Sequence, residues 1–85
     1  MAYAVSLLPA AEREWRKLPH EIRPRVNRAL LSLENEPRPH GAAKLSGSSD
    51  RWRIRVGDYR IIYQIDDVAR EITVLRIAHR RQVYR

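Results

Sequence analysis

At 85 residues the chain is one small domain, expected to bury only ~60% of its unfolded surface around a compact core. It has no cysteine, which excludes a disulfide framework and a thiolate metal site, and no apolar run approaches the ~20 residues of a membrane span. The net charge of +7 points to an anionic partner, and it is uneven: residues 1–42 carry a balance of +2 and residues 43–85 a balance of +5.

The chain starts MAYAVSLLPA, without the basic start and long apolar stretch of a signal peptide, so the cytoplasm is the expected compartment. Tyr3, Val5 and Leu7 alternate with Ala4 and Ser6, the period of a strand. Pro9 suits the first turn of a helix, and Ala11, Trp15 and Leu18 then make one apolar stripe. Leu18-Pro19 ends that helix. Ile22, Val26, Ala29, Leu30 and Leu33 form the stripe of a second helix, which starts near Arg23 because Pro24 does not fit a helix interior. Asn35-Glu36-Pro37 stops it. Residues 37–50 have two glycines and no periodicity, the pattern of a surface loop in which Leu45 is expected to pin the chain to the core.

Three strands follow, over 51–56, 59–65 and 71–78, joined by turns at Gly57-Asp58 and Asp66-Asp67. The two acids are expected to be solvent-facing turn formers without partners, not metal ligands. The order β-α-α-β-β-β predicts an α+β domain over 1–85, with both helices on one face of an antiparallel sheet.

Arginine recurs at strand period: Arg51, Arg53 and Arg55 alternate with Trp52, Ile54 and Val56. One face of that strand is therefore apolar and the other guanidinium. Trp52, Ile54, Val56, Tyr59, Ile61 and Tyr63 are assigned to the helix-covered side, and Arg53, Arg55, Arg60, Ile62 and Gln64 to the open side. On the last strand the same alternation groups Arg76, Ala78 and Arg80 with Ile72 and Val74. Only Lys17 and Lys44 among the 17 basic residues are lysine. Arginine presents a planar fork that matches phosphate and stacks on bases, so RNA is the leading partner. Trp15, Trp52, Tyr59 and Tyr63 have the parity of core residues, and His20 and His40, on the helix and the loop, are expected at the surface.

The strings KLSG (44–47), RWRIRVGDYRIIYQI (51–65) and HRRQVYR (79–85) resemble the RelE/ParE superfamily of bacterial and archaeal toxins, nearer to RelE than to ParE. The resemblance covers essentially the whole chain. It implies a ribosome-dependent mRNA endonuclease, restrained by a cognate acidic, RelB-like antitoxin in a toxin–antitoxin hetero-oligomer. Partners are then the antitoxin, the ribosome and mRNA, with no membrane, no metal and no cofactor. The implied chemistry is attack by a ribose 2′-hydroxyl on the adjacent phosphate, giving a cyclic phosphate and a free 5′-hydroxyl. Carried over by position, the catalytic set is Arg53, Arg55, Arg60, Arg80 and Tyr84, and Lys44, Arg51, Arg76, His79 and Arg81 are expected to bind RNA.

Fixed cations aimed at developing phosphate charge give this assignment a physical basis, since a single well-placed donor is worth ~3 kcal/mol. One departure bears on mechanism. The best-studied RelE pattern has lysines where this chain has Arg53 and Arg55, and arginine is a poor general base. His79 is the nearest titratable alternative, yet strict alternation turns it toward the helix-covered face. Two other functions stay open: a ParE-type inhibitor of DNA gyrase, and a relative that binds nucleic acid or antitoxin without cutting.

Overall fold

The computed structural model describes residues 2–82. Strand β1 (Ala4–Leu7) leads into helices α1 (Pro9–Arg16) and α2 (Arg23–Leu33), followed by β2 (Ala43–Lys44), β3 (Arg51–Val56), β4 (Tyr59–Asp66) and β5 (Glu71–His79). The five strands form one sheet in the order β1-β5-β4-β3-β2. The α+β class, the two helices and the three long strands agree with the sequence expectation.

Two features of the sheet depart from it. The sheet is mixed, because β1 lies parallel to β5 in the register Ala4↔Glu71 to Leu7↔Val74. Alternation identifies a strand but carries no information on which neighbour it pairs with or in which direction. The second departure is β2, inside the segment expected to be plain loop. It pairs antiparallel with β3 through Ala43↔Arg53 and Lys44↔Trp52. Two residues are too few to show a period.

The helices are positioned by specific contacts. Pro9 opens α1 and Pro24 lies in the first turn of α2, where a missing N–H is harmless. Trp15 Nε1 donates to Asn27 Oδ1 at 2.8 Å, joining α1 to α2. Arg23 places its guanidinium 5.2 Å from the Trp15 ring centroid and donates to the Arg16 carbonyl at 2.8 Å. Under this helical pair lies the main core: Ala11, Val26, Leu33, Ile61, Tyr63, Ile72 and Val74 are fully buried. Each large aliphatic side chain removed from water contributes ~1.5–3 kcal/mol. Trp52 and Tyr59 pack against the same cluster half-buried, so the face assigned to β3 and β4 is correct.

Leu45 does not reach that core. It packs with Leu75 against Ile62 and Ala78 in a second, small cluster. Ile62 belongs to the face opposite the helices, so Leu45 pins the loop to the open side of the sheet.

Strict alternation fails on β5. Ile72, Val74 and Ile77 are all in the helix-side core, whereas Ala78 is in the small cluster. The register between β4 and β5 shifts between Ile62 and Tyr63, which pair with Arg76 and Val74, leaving Leu75 as an extra residue. This bulge reverses parity midway. Ile72 and Val74 therefore do not share a face with Ala78, contrary to the sequence expectation.

The turns are chemically specified. Gly57 adopts φ +60 in the two-residue β3–β4 turn, and a Cβ there would lie 3.2 Å from Ile22 Cδ1. Asp66 Oδ1 accepts from the N–H groups of Val68 and Ala69 at 3.1 and 3.0 Å, the expected turn role. Asp67, expected to lack partners, has two. It accepts from Tyr3 Oη at 2.6 Å and pairs with Arg38 Nη2 at 2.8 Å. These hydrogen bonds, Arg38 first and Tyr3 second, hold its carboxyl at a pKa of about 2. Arg38 also lies 5.4 Å from the Trp52 ring centroid, so the segment after α2 is tied across the sheet. Tyr63 donates to the Pro37 carbonyl at 2.7 Å, and burial pushes its hydroxyl up to about 12, which keeps it a donor.

Candidate nucleic-acid interface

The open side of β3 and β4 carries the arginines. Cross-strand partners share a face, and Arg55 stands directly opposite Arg60. Like charges in register repel, and neither guanidinium has an ion pair among the described residues. Arg60 is half-buried, and its Nε and Nη1 are shielded from solvent without an acceptor. Such donors cost ~1–3 kcal/mol each when left unmet. Arg53 is half-buried on the same face, one register pair further along β3.

These three arginines, with Gly41, Ala43 and Ile54, line a cleft of about 240 Å³. Its wall is the loop before β2, turned against β3 by the 2.9 Å bond from the Ala42 N–H to the Pro39 carbonyl. Ala43 faces Arg53 across the β2–β3 pair, and Ala78 faces Arg60 across β4–β5. Neither small side chain reaches far across the face beside its arginine partner. The sequence analysis missed Gly41 and Ala43. The available signal was the run of small residues Gly41-Ala42-Ala43, which no period distinguishes from an ordinary loop.

Other expected site residues divide between this face and elsewhere. Arg51 is exposed at the far end of β3, opposite Gln64, which donates to Asp50 Oδ2 at 2.7 Å. Arg80 and Arg81 are exposed just beyond β5. The Arg80 N–H donates to the Asp58 carbonyl at 2.8 Å, which holds residue 80 at the end of the sheet where Arg55 and Arg60 lie. Tyr84 lies outside the described residues.

Lys44, Arg76 and His79 are not brought to the cleft. Lys44 is paired with Trp52, whose ring packs on the helix-side core, so the register places Lys44 on the helix side of the edge strand. Arg76 is bound to α1: its Nη2 lies 2.8 Å from Glu14 Oε2, and its Nε donates to both carboxylate oxygens. This pairing raises the Arg76 pKa further, so it stays charged but compensated. His79 meets Tyr59 edge-on at 5.5 Å between ring centroids, and its Nδ1 accepts from the Arg81 N–H at 3.3 Å. It lines a groove with Lys17 and Leu18, on the side expected from alternation.

The assembled site is thus a shallow cleft with three arginines from adjacent strands, Arg80 following at the same sheet end, and the small buried cluster of Ile62 and Ala78, covered by Leu45 and Leu75, beside it. An anion seated between Arg55 and Arg60 would relieve their repulsion. Phosphate, with several acceptor oxygens, matches the arginine fork.

The family model for the ParE toxin of type II toxin–antitoxin systems (parDE) matches residues 5–84. Toxin RelG of Mycobacterium tuberculosis is 34% identical over 86 residues, which span 100% of this chain and 99% of RelG. The mRNA interferase toxin RelE of Escherichia coli is 31% identical over 84 residues, 96% of this chain and 87% of that protein. A chain of the archaeal RelE–RelB complex from Pyrococcus horikoshii superposes with a TM-score of 0.84 at 30% identity, covering 98% of this chain and 100% of that one. A chain of the toxin–antitoxin complex RelBE2 from Mycobacterium tuberculosis gives a TM-score of 0.81 at 30% identity, covering 93% and 99%.

Proposed function

Because the chain belongs to the RelE/ParE superfamily of type II toxin–antitoxin toxins, we propose that it arrests translation by cutting ribosome-bound mRNA. The observation that carries this reading is the in-register Arg55–Arg60 pair lining a cleft, where like charges stand side by side without an ion pair among the described residues. A protein that acts by blocking a partner has no need of like charges set side by side at a cleft. A phosphoryl-transfer enzyme does, because charge grows on the nonbridging oxygens as the reaction proceeds.

In the reaction proposed, the 2′-oxygen forms a bond to phosphorus while the bond from phosphorus to the 5′-oxygen breaks. The 2′-hydroxyl gives up its proton and the departing 5′-oxygen gains one, leaving a cyclic phosphate and a 5′-hydroxyl. Arg60 and Arg55 hold the nonbridging oxygens, and Arg53 adds a third positive charge beside them. Arg80, across the sheet on the β5 side, stabilises the leaving oxygen. Tyr84 stacks on a base or donates a proton to that oxygen. His79 lies away from the cleft, so arginine electrostatics and substrate positioning by the ribosome carry the rate without a histidine base.

The relatives solved as complexes contain RelB with RelE, and we extend that pairing to this chain: an acidic, RelB-like antitoxin masks the arginine face. Arg51 and Arg81, both exposed, extend the basic surface toward the ribosome. The ParE description of the matching family model keeps gyrase inhibition as the second reading. Induced expression followed by mapping of mRNA 5′ ends separates them. New ends within translated codons support the nuclease. Intact mRNA together with a DNA-damage response selects the gyrase reading.

A further inference from the structure

The ladder between β2 and β3 stops one rung short. Along an antiparallel strand, consecutive residues turn their N–H and C=O groups to opposite neighbours. On β3 the odd-numbered residues face β2: the Leu45 N–H donates to the Arg51 carbonyl at 3.0 Å, and Arg53 pairs with Ala43. Asp50, just before β3, bonds the other way, its carbonyl accepting from the Ile65 N–H at 3.0 Å. The register would next set Arg55 against Gly41. Instead β2 begins at Ala43, and Gly41 takes φ +91, a turn out of the strand that favours glycine. Among the described residues no bond reaches the Arg55 main chain from that side. The gap is open from both faces of the sheet. The arginine cleft and a second depression of about 430 Å³ over α2 both touch Gly41, Ile54 and Arg55.

We propose that this vacant rung receives the ribose and phosphate at the point of cleavage: the Arg55 N–H donates to a nonbridging phosphate oxygen, and the Arg55 carbonyl accepts a hydrogen bond from the attacking 2′-hydroxyl. The assignment rests on the nuclease reading above and answers a need of that chemistry. The polar side chains lining the cleft are Arg53, Arg55 and Arg60, which donate and never accept. A 2′-hydroxyl among them finds no side chain to take its hydrogen bond. The carbonyls of Arg53 and Ile54 are used in the ladders to Ala43 and Ile61, whereas the Arg55 carbonyl stands at the open edge. A carbonyl is no base, so it holds the hydroxyl without removing its proton. With the hydrogen fixed there, the oxygen lone pairs are left to face phosphorus. The N–H beside it adds a donor whose direction is set by the strand rather than by a flexible side chain. The pair also favours RNA, because only a ribose carries the donor that the carbonyl accepts.

The test sets the whole isotope-labelled chain against dinucleotides altered at the 2′ position of the 5′ ribose, none of which carries the hydroxyl nucleophile. A 2′-amino group, neutral at mildly alkaline pH, keeps a donor, whereas 2′-fluoro and 2′-deoxy do not. The amino dinucleotide is expected to bind about fivefold tighter than the other two, the worth of one net hydrogen bond. All three should slow hydrogen exchange at the Arg55 amide, since each has the phosphate. Arg55→Ala removes the guanidinium and keeps the rung, and Arg55→Pro removes the N–H of the rung as well. Proline suits an edge position whose N–H has no strand partner, and thermal unfolding checks that both variants fold. On programmed ribosomes Arg55→Pro should cut about tenfold slower than Arg55→Ala, the loss of a donor to a charged group. Equal binding of the three dinucleotides, no slowing of exchange, or equal rates for the two folded variants overturns the proposal, and the dinucleotide series decides even where Arg55→Pro fails to fold. Protection of the Arg55 amide by an acidic peptide but by no dinucleotide also overturns it and gives the rung to a protein partner. Wild-type cleavage beside any of these results overturns this inference alone. Dinucleotide protection without wild-type cleavage overturns the nuclease reading and keeps the rung as an RNA site.

Discussion

Replacing Arg60 by methionine should separate what this residue does for the reaction from what it does to the fold. Arg60 faces Arg55 across the strand pair, and its Nε and Nη1 are shielded without an acceptor. Methionine keeps most of the stem and removes both the charge and the unmet donors. One buried unmet donor costs ~1–3 kcal/mol. The residue is only half-buried, and solvent screens part of the repulsion, so a net gain of about 1 kcal/mol is expected for Arg60→Met. For a domain of this size that is a rise in Tm of ~4–8 °C. Loss of one transition-state donor should slow cleavage ~10²-fold or more. Single-turnover cleavage on programmed ribosomes and thermal unfolding by circular dichroism give the two quantities. Inorganic phosphate should add more stability to the wild type than to the variant, because only the wild type retains the full anion site. A variant that cuts normally and melts lower than the wild type would refute the reasoning, since Arg60 would then be a packing residue.

Three further outcomes are expected. Affinity for single-stranded RNA should fall with salt at a log–log slope on the order of −3 to −4, from ~0.7 per phosphate contact if Arg51, Arg53, Arg55, Arg60 and Arg80 all engage; Arg76→Gln should leave the slope unchanged. His79→Ala should keep the rate within ~3-fold and the pH–rate profile unaltered; a loss of ~10² or more with intact folding would restore it as a base. Asp67 has its folded pKa depressed to about 2, so it contributes stability above its unfolded value and loses it as pH falls toward 2. Asp67→Asn should accordingly flatten the pH dependence of urea unfolding between pH 5 and 2 and leave a lower plateau at neutral pH.

The sequence shows the site more clearly than the scaffold around it. Alternation across 51–56 and 59–65 separates Trp52, Ile54 and Ile61 from Arg53, Arg55 and Arg60, because a side chain on a regular strand has no third direction to take. The same rule misleads on β5, where the extra residue Leu75 changes parity and joins Ile72 to the opposite face from Ala78. A bulge is settled by pairing with β4, which is not a local property. Lys44 and Arg76 read as free cations in the sequence. One is turned by a two-residue strand and the other claimed by Glu14, 62 positions away. Long-range partners of this kind leave no spacing to detect, and the same holds for Asp67, Arg38 and Tyr3.

Glu14 has a consequence for how the molecule meets other chains. Strand β1 covers β5 only as far as Val74, and the rest of that margin would show bare amide groups. An uncovered margin is a template on which another polypeptide can add a strand. Glu14 Oε1 accepts the Ile77 N–H at 2.8 Å, and the bound Arg76 head lies over the same stretch. A side chain from a helix thus closes the margin that the first strand leaves unfinished. A strand adding to β5 at this point would have to displace the Glu14 carboxylate from the Ile77 N–H.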